Sequence, residues 1–237
     1  EFIAQQLNIK NHSGWRKYFN RDSTRWEQIS ELKLALGLRS FTAKEFDKYL
    51  RKLVVLAKQT DKGEVIAEAL IKYLRQDNIL IPDISVIERI ASEAITIGSK
   101  EFYIELTKGL SEQKLSELNE LLKIKPSTKI SYLAWLQQPA NIPKPKHILL
   151  HIERLHFIKE LNLPDVLGKN VHHNRLIKLA KEGRNMFARD IQKLEQNRRY
   201  ATILAIILET KASIIDEIVE LNDKILSSIF NKAKNNH

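Results

Sequence analysis

The fold class is decided by residues 61–97, which read DKGEVIAEALIKYLRQDNILIPDISVIERIASEAITI. Apolar side chains recur there at intervals of three and four residues, first as Val65, Ile66, Ala69, Leu70, Tyr73 and Leu74 and then as Val86, Ile87, Ile90, Ala91, Ala94 and Ile95. Such spacing aligns apolar side chains along one side of an α-helix. The stretch therefore predicts two amphipathic helices, over residues 61–76 and 85–97, joined by a short apolar turn.

Helix signals continue along the rest of the chain. A capping box, in which Ser, Thr or Asp precedes Glu by three residues, predicts helix starts at Thr24, Thr42, Asp61 and Ser85. Glycines predict helix ends or turns at Gly37, Gly63, Gly98, Gly109 and Gly183. No stretch alternates apolar and polar side chains strictly enough to predict a strand. We predict an all-α fold of multi-helix bundles with helix-turn-helix-like units.

Two positions are candidate boundaries within this helical chain. Three prolines, at positions 139, 143 and 145, predict that residues 138–146 form an extended connector. Gly109 lies where a charge-balanced part ends and a basic part is about to begin. We predict two consecutive helical modules, residues 1–109 with the helix pair 61–97, and residues 110–237 with the connector and long C-terminal helices that continue to Lys232.

Composition excludes several classes of protein. The chain of 237 residues has no cysteine, which excludes disulfides, thiolate zinc sites and cysteine nucleophiles. Its longest apolar run, residues 203–208, is too short to span a bilayer, and the start lacks the pattern of a signal peptide. Phe2, Ile3 and Leu7 predict a helix at the very beginning, so we expect the chain to be a piece of a longer protein.

The positive charge is concentrated in one segment. The chain carries 39 Lys+Arg against 29 Asp+Glu, and residues 123–199 hold 16 of those cations against 6 of the acids. The remaining residues balance, 23 against 23. A basic segment on a neutral scaffold is typical of proteins that bind a polyanion, because cations that neutralise phosphates release condensed counterions. The charge pattern predicts nucleic-acid binding.

The helix pair at 61–97 is the first candidate for DNA contact. If its second helix enters a groove, Ser85 and Arg89 face outward near its start, and Arg89 can reach a guanine edge bidentately. The same pattern also fits an ordinary α-hairpin in which Arg89 is solvated or pairs with Glu93.

The basic segment supplies the second and larger set of candidates. A short amphipathic helix near residue 175 has one cationic side, and further basic residues flank it. Lys and Arg suit phosphates, while Asn174 and Arg175 are residue types that read adenine and guanine. A solvated surface helix is the alternative, although its charges would usually be mixed. The predicted DNA-contact residues here are Lys144, Lys146, His172, His173, Asn174, Arg175, Lys178, Lys181, Arg184, Arg189, Arg198 and Arg199.

Catalytic patterns are weak. His147 and His151 have the spacing of two zinc ligands on a helix, but Ile148 stands where a zinc protease has its glutamate. The chain has no phosphate-binding loop, no dinucleotide-binding glycine motif and no nucleophile elbow. Trp15, Trp26 and Trp135 stand beside aliphatic residues in helical patterns, which predicts that they belong to the core.

The chain resembles the N-terminal region of the Tn-three family of replicative transposases. The resemblance extends from about Phe2 to Asn231 and is carried by short strings of residues in the same order. These include LRSF at 38–41, QTDKG at 59–63, IER at 87–89, WLQQP at 135–139, IERL at 152–155, NRL at 174–176, LAKEG at 179–183 and RRYAT at 198–202.

The resemblance implies a function. Members of this family are large bacterial enzymes that bind the terminal inverted repeats of their transposon through N-terminal helical modules. They cut and join strands with a distant core that uses three carboxylates and magnesium, and an additional module precedes the part matched here. The resemblance therefore implies a double-stranded DNA-binding fragment that works in the bacterial cytoplasm, on the nucleoid when bound. It implies no catalysis and no cofactor in this fragment, and self-association of the full-length protein is a further expectation.

A second hypothesis concerns assembly rather than DNA. In it, the helices dimerise or bridge to the rest of the transposase, with residues 203–226 as the packing surface. Binding through that apolar helix is expected to respond little to salt. An independent helical enzyme ranks last, because no convergent set of acid and base residues is present.

Overall fold

A computed structural model describes residues 22–140, 142–164 and 171–235, and within these residues the chain is all-α. The regular structure of this part comprises helices, with isolated bridges at Arg39–Ile79 and Ile124–Ser131. The predicted fold class is confirmed, while the helix predicted at Phe2–Leu7 and Trp15 lie outside the described residues. The helices are α1 Asp22–Ala35, α2 Ala43–Ala57, α3 Gly63–Gln76, α4 Ile84–Thr107, α5 Glu112–Glu120, α6 Tyr132–Leu136, α7 Pro145–Glu160, α8 His173–Arg184, α9 Ala188–Gln192 and α10 Gln196–Asn235.

The chain divides into two compact units. Among the described residues, unit 1 comprises 22–53 and 63–92, and unit 2 comprises 54–62, 93–140, 142–164 and 171–235. The boundary predicted at Gly109 falls inside unit 2, where Gly109 has a φ of 92° just beyond the end of α4. That backbone conformation favours glycine, so Gly109 ends a helix as its sequence position predicts.

In unit 1, the buried side of α3 carries Ile66, Leu70 and Leu74, as the apolar spacing predicts. Two backbone hydrogen bonds tie the loop before α2 to the loop after α3. The Arg39 N–H donates to the Asn78 carbonyl (2.8 Å), and the Leu80 N–H donates to the Arg39 carbonyl (2.9 Å). These bonds hold both loops in place by satisfying backbone groups that no helix satisfies.

The α3–α4 pair differs from the predicted helix-turn-helix. Seven residues, 77–83, connect the two helices, whereas the turn of a helix-turn-helix has three or four. The Asp83 carboxylate accepts from the Ser85 N–H (2.9 Å), so Asp83 and not Ser85 provides the cap. The helix-turn-helix geometry is therefore not confirmed.

Helix α4 also continues past Gly98, where the sequence predicts an end. The reason lies in packing within unit 2. A Cβ on Gly98 would lie 2.7 Å from the Cβ of Ala57 and 2.9 Å from its carbonyl carbon. Glycine therefore permits a close approach of two backbones here, and it does not end the helix.

The core of unit 2 is built around α10. Residues 201–207 of this helix are all buried and pack with side chains of α5 to α9, among them Trp135, which confirms its predicted core position. The first part of the packing surface predicted at residues 203–226 is therefore internal to the fold. Beyond it, Ile215, Val219 and Leu226 are exposed.

Helices α8 and α10 approach each other closely at Gly183. A Cβ on Gly183 would lie 2.5 Å from Thr202 Cγ2 and 2.8 Å from Ile206 Cδ1. This glycine is buried and lies one residue before the end of α8 at Arg184, so its predicted position near a helix end is confirmed. The close contact fixes the orientation of α8, and with it the direction in which its exposed side chains point.

Candidate nucleic-acid interface

Helix α8 separates its residues into a buried side and a basic side. The buried residues are Arg175, Leu176, Leu179, Ala180 and Gly183. The other side is exposed and also carries Ile177 and Glu182. We call its remaining residues the α8 basic face: His173, Asn174, Lys178, Lys181 and Arg184. His172, just before the helix, is exposed as well. The predicted amphipathic helix is thus present, and five of the six predicted residues within it lie on its accessible side.

Arg175 is the exception, because its side chain is an internal part of unit 2. The residue is 6% exposed. Its guanidinium donates to Ser99 Oγ (3.0 Å), lies 3.3 Å from the Asp61 carboxylate and sits 5.1 Å from the centre of the Phe102 ring. A buried guanidinium with these partners does not reach a base edge, so we leave Arg175 out of the interface proposed below.

Asp61 connects this internal arginine to the basic face. Its carboxylate accepts from Lys178 Nζ (2.5 Å), and Lys178 also lies 3.9 Å from Glu182. Burial raises the pKa of Asp61, but the Lys178 hydrogen bond and the charge of Arg175 outweigh it, so the pKa lies below its usual value. Asp61 therefore stays ionised and holds Lys178.

The cations around α8 fall into paired and unpaired groups. Arg184 is ion-paired with Glu209, and Arg198 lies 3.9 Å from Glu182. Burial lowers the pKa of Arg184, although the charge of Glu217 opposes this effect. Within the described part of the chain no ion pair is found for four exposed lysines: Lys144, Lys146, Lys181 and Lys193.

Arg199 is half-buried and has a structural contact of its own. It donates to the Gln192 carbonyl (3.0 Å) at the end of α9, and its guanidinium lies 5.4 Å from the centre of the Tyr200 ring. These contacts indicate that Arg199 joins α9 to α10, because it donates to a backbone carbonyl that has no partner within α9. Arg199 is thus less available to DNA than Arg198 beside it.

A groove in unit 2 adjoins the basic face and was missed by sequence reasoning. It has a volume of about 580 Å³ and is lined by the loop around Ile130 and by the turn between α8 and α9. Exposed Phe187 and Ile124 lie on it, together with Lys129, Arg184 and Arg189. The sequence signal for it is Phe187, which stands in the short turn of residues 185–187 between two helices and so belongs to no helical stripe.

The candidates of unit 1 lie apart in the chain and are treated separately. Ser85 and Arg89 are both exposed near the start of α4. The guanidinium of Arg89 is 5.4 Å from the centre of the Phe46 ring. A cation held over an aromatic ring stays accessible on its outer side, so Arg89 remains a candidate for DNA contact.

His151, one of the two candidate zinc ligands in the sequence, has other partners in the fold. His151 is buried on α7, and its Nε2 lies 3.0 Å from the Ala140 carbonyl oxygen and 3.2 Å from the Glu217 carboxylate. In the described ranges, no group of three His, Cys, Asp or Glu residues is arranged to hold a metal. None of the helices described above is both long and apolar enough to cross a bilayer.

The chain is similar in sequence to known transposases. The chain is 42% identical over 236 residues to the transposase of transposon Tn501 from Pseudomonas aeruginosa, and this match covers 100% of the chain and 24% of that transposase. The chain is a relative of Tn-three family transposases. The resemblance carried by the short strings of residues is thereby confirmed.

Two further matches show how far the relationship extends. The transposase of Tn21 from Escherichia coli is 42% identical over 235 residues, covering 99% of the chain and 24% of that protein. The transposase of Tn1546 from Enterococcus faecium is 25% identical over 236 residues, with coverage of 99% and 24%. The chain therefore spans about a quarter of the length of these transposases. Residues 1–94 also match a domain of unknown function, DUF4158.

Proposed function

We propose that this chain is a DNA-binding part of a transposase that recognises the terminal inverted repeats of a Tn-three-like transposon during replicative transposition. The observation that carries the proposal is the α8 basic face, exposed on a helix whose other side is locked against α10 at Gly183. The similarity of the whole chain to transposases gives this cationic surface a polyanionic partner.

Each part of the basic face has a different task in this proposal. Lys178, Lys181 and Arg184 contact phosphates, since their long cationic side chains neutralise charge without selecting a base. His173 and Asn174 lie at the start of α8, where short polar side chains can read base edges in a groove. Lys144, Lys146 and Lys193 extend the phosphate contacts beyond the helix.

The proposal assigns no catalysis to this chain. We infer that the strand-cutting carboxylates and magnesium implied by the resemblance belong to another part of the transposase. The match of this chain to 24% of the Tn501 transposase supports that inference. Binding of the repeat then needs no metal and no cofactor. The site of action is the bacterial nucleoid.

Lysine substitutions on the basic face test the proposal. Fluorescence anisotropy with a terminal-repeat duplex should show that Lys178→Ala combined with Lys181→Ala weakens binding. Each lost phosphate contact is also expected to reduce the slope of log affinity against log salt by about 0.9. Lys159→Ala, which removes an exposed lysine on α7, serves as the matched control. Unchanged affinity and slope in the double variant would contradict the assignment of α8.

Assembly remains a second proposal because one specific surface favours it. Exposed apolar residues follow the C-terminal half of α10: Val219, Leu226, Ile229 and Phe230. Such a stripe suits contact with another helix. Sedimentation of the chain at low and high salt tests this function, because association through apolar side chains should persist at high salt whereas DNA binding should not.

A further inference from the structure

The groove beside α8 combines exposed apolar side chains with positive charge. Phe187 is 72% exposed and Ile124 is 67% exposed, so two large apolar residues face solvent on one concave surface. Exposed apolar side chains gathered at a concavity indicate a binding surface rather than ordinary surface scatter.

Charge points to the class of partner. Lys129, Arg184 and Arg189 line the groove, and no carboxylate occurs among the described residues that form its walls. Arg189 lies 5.9 Å from the centre of the Phe187 ring and 3.7 Å from the Asp190 carboxylate. Arg184 belongs both to this groove and to the α8 basic face, so the two surfaces are continuous. An apolar floor with a cationic wall complements a nucleobase attached to its phosphates.

We propose that this groove receives an unstacked nucleobase of the bound DNA, with Phe187 stacked on it. The inference rests on the proposed DNA-binding function and adds a deformation of the DNA to it. Lys129 and Arg189 would hold the flanking phosphates, and Gln137 and Asn185, which also line the groove, offer amide groups to the exposed edge of the base.

The free energies of unstacking a base and of stacking it on Phe187 are compatible with a nucleobase in the groove. Removing a base from the stack costs free energy, and stacking on an aromatic side chain recovers a comparable amount. An apolar protein segment would gain from Phe187 and Ile124 but would leave Lys129 without counter-charge, whereas Arg184 and Arg189 already lie beside Glu209 and Asp190. The nucleobase with its phosphates uses both features.

Fluorescence of 2-aminopurine tests the inference. Terminal-repeat duplexes carry this base in place of each adenine in turn, and its emission rises when it leaves the stack. We expect the chain to raise emission at one position. We expect Phe187→Ala to abolish that rise and to weaken binding about fivefold or more. Leu149→Ala is the matched control, because Leu149 is an equally exposed apolar residue (66%) on α7 outside the groove.

The outcomes separate the two proposals. If the repeat binds but emission stays flat at every position, or if Phe187→Ala leaves the rise unchanged, the groove does not take a base and the proposed function stands. If the chain does not bind the repeat in anisotropy, both proposals are wrong. Unaltered DNA affinity in Phe187→Ala would instead favour a protein segment as the occupant of the groove.

Discussion

The guanidinium of Arg175 lies 3.3 Å from the carboxylate of Asp61, and the same carboxylate accepts from Lys178. This relationship separates two basic residues that stand only three positions apart on α8. Arg175 is buried in unit 2, whereas Lys178 is exposed and belongs to the α8 basic face. The position of each residue on α8, rather than its residue type, decides which of the two side chains is accessible to DNA.

Removal of Asp61 should destabilise the protein more than replacement of Arg175. Asp61→Ala leaves a buried guanidinium without its counter-charge, and we expect a loss of about 3 kcal/mol in the free energy of unfolding. Arg175→Met replaces the buried cation by an apolar side chain of similar length and should cost clearly less. Urea denaturation measures both. Equal losses in the two variants would show that the charge pair is not what holds α8 here.

Substitution of Gly183 should loosen the contact between α8 and α10. A Cβ there would meet Thr202 and Ile206 well inside normal contact distance. We therefore expect Gly183→Ala to cost about 1–3 kcal/mol, because overpacking forces neighbouring side chains to shift. Gly63→Ala is the control, since a Cβ at that position has no atom within 4 Å. Thermal unfolding that is the same in both variants would contradict the close packing.

Acid should weaken unit 1 through Asp77. The hydrogen bond from Lys48 (2.6 Å), followed by that from Tyr49 (2.5 Å), lowers the pKa of Asp77 from 3.8 to about 2. A lowered pKa in the folded state adds stability above the ordinary value, and this contribution is lost as pH falls. The loss is expected between about pH 4 and pH 2.

Asp77→Asn isolates this effect. The variant should be less stable than the parent at neutral pH and should lose less stability on acidification, as measured by urea midpoints at several pH values. Asp47→Asn, at an exposed position on α2, is the matched control. A parallel acid response in parent and Asp77→Asn would mean that the contacts of Asp77 do not stabilise the fold.

Chelation of metals should leave DNA binding unchanged. The proposed contacts are Lys, Arg, His and Asn side chains, which bind phosphates and bases directly. Anisotropy with the repeat duplex in EDTA and in magnesium, at matched ionic strength, checks this expectation. Affinity that falls on chelation would place a metal in the interface.

The sequence predicts the helices better than it predicts their ends. Thr42 stands directly before α2 and its hydroxyl donates to the Glu45 carboxylate, so the two residues of the predicted capping box are in contact. Gly183 lies one residue before the end of α8, as the sequence predicts, whereas Gly98 lies well inside α4 at a close contact. A single sequence does not distinguish a glycine required by backbone conformation from one required by a neighbour, because the neighbour belongs to another part of the chain.

The candidate site was predictable as a helix face but not residue by residue. Amphipathic spacing placed Lys178 and Lys181 on the exposed side of α8. Arg175 has the same chemistry as its exposed neighbours, and its burial depends on Asp61, which is distant in sequence. Phe187 was missed for the converse reason, since an apolar residue predicts burial unless the turn that carries it leaves it exposed.

The central claim is tested most directly by competition binding. The chain is bound to a labelled terminal-repeat duplex at physiological salt, and unlabelled repeat or scrambled duplex of equal length is added. The account predicts that the repeat competes at far lower concentration than the scrambled duplex. Equal competition by both would contradict recognition of the transposon end and would reduce the α8 basic face to a non-specific phosphate contact.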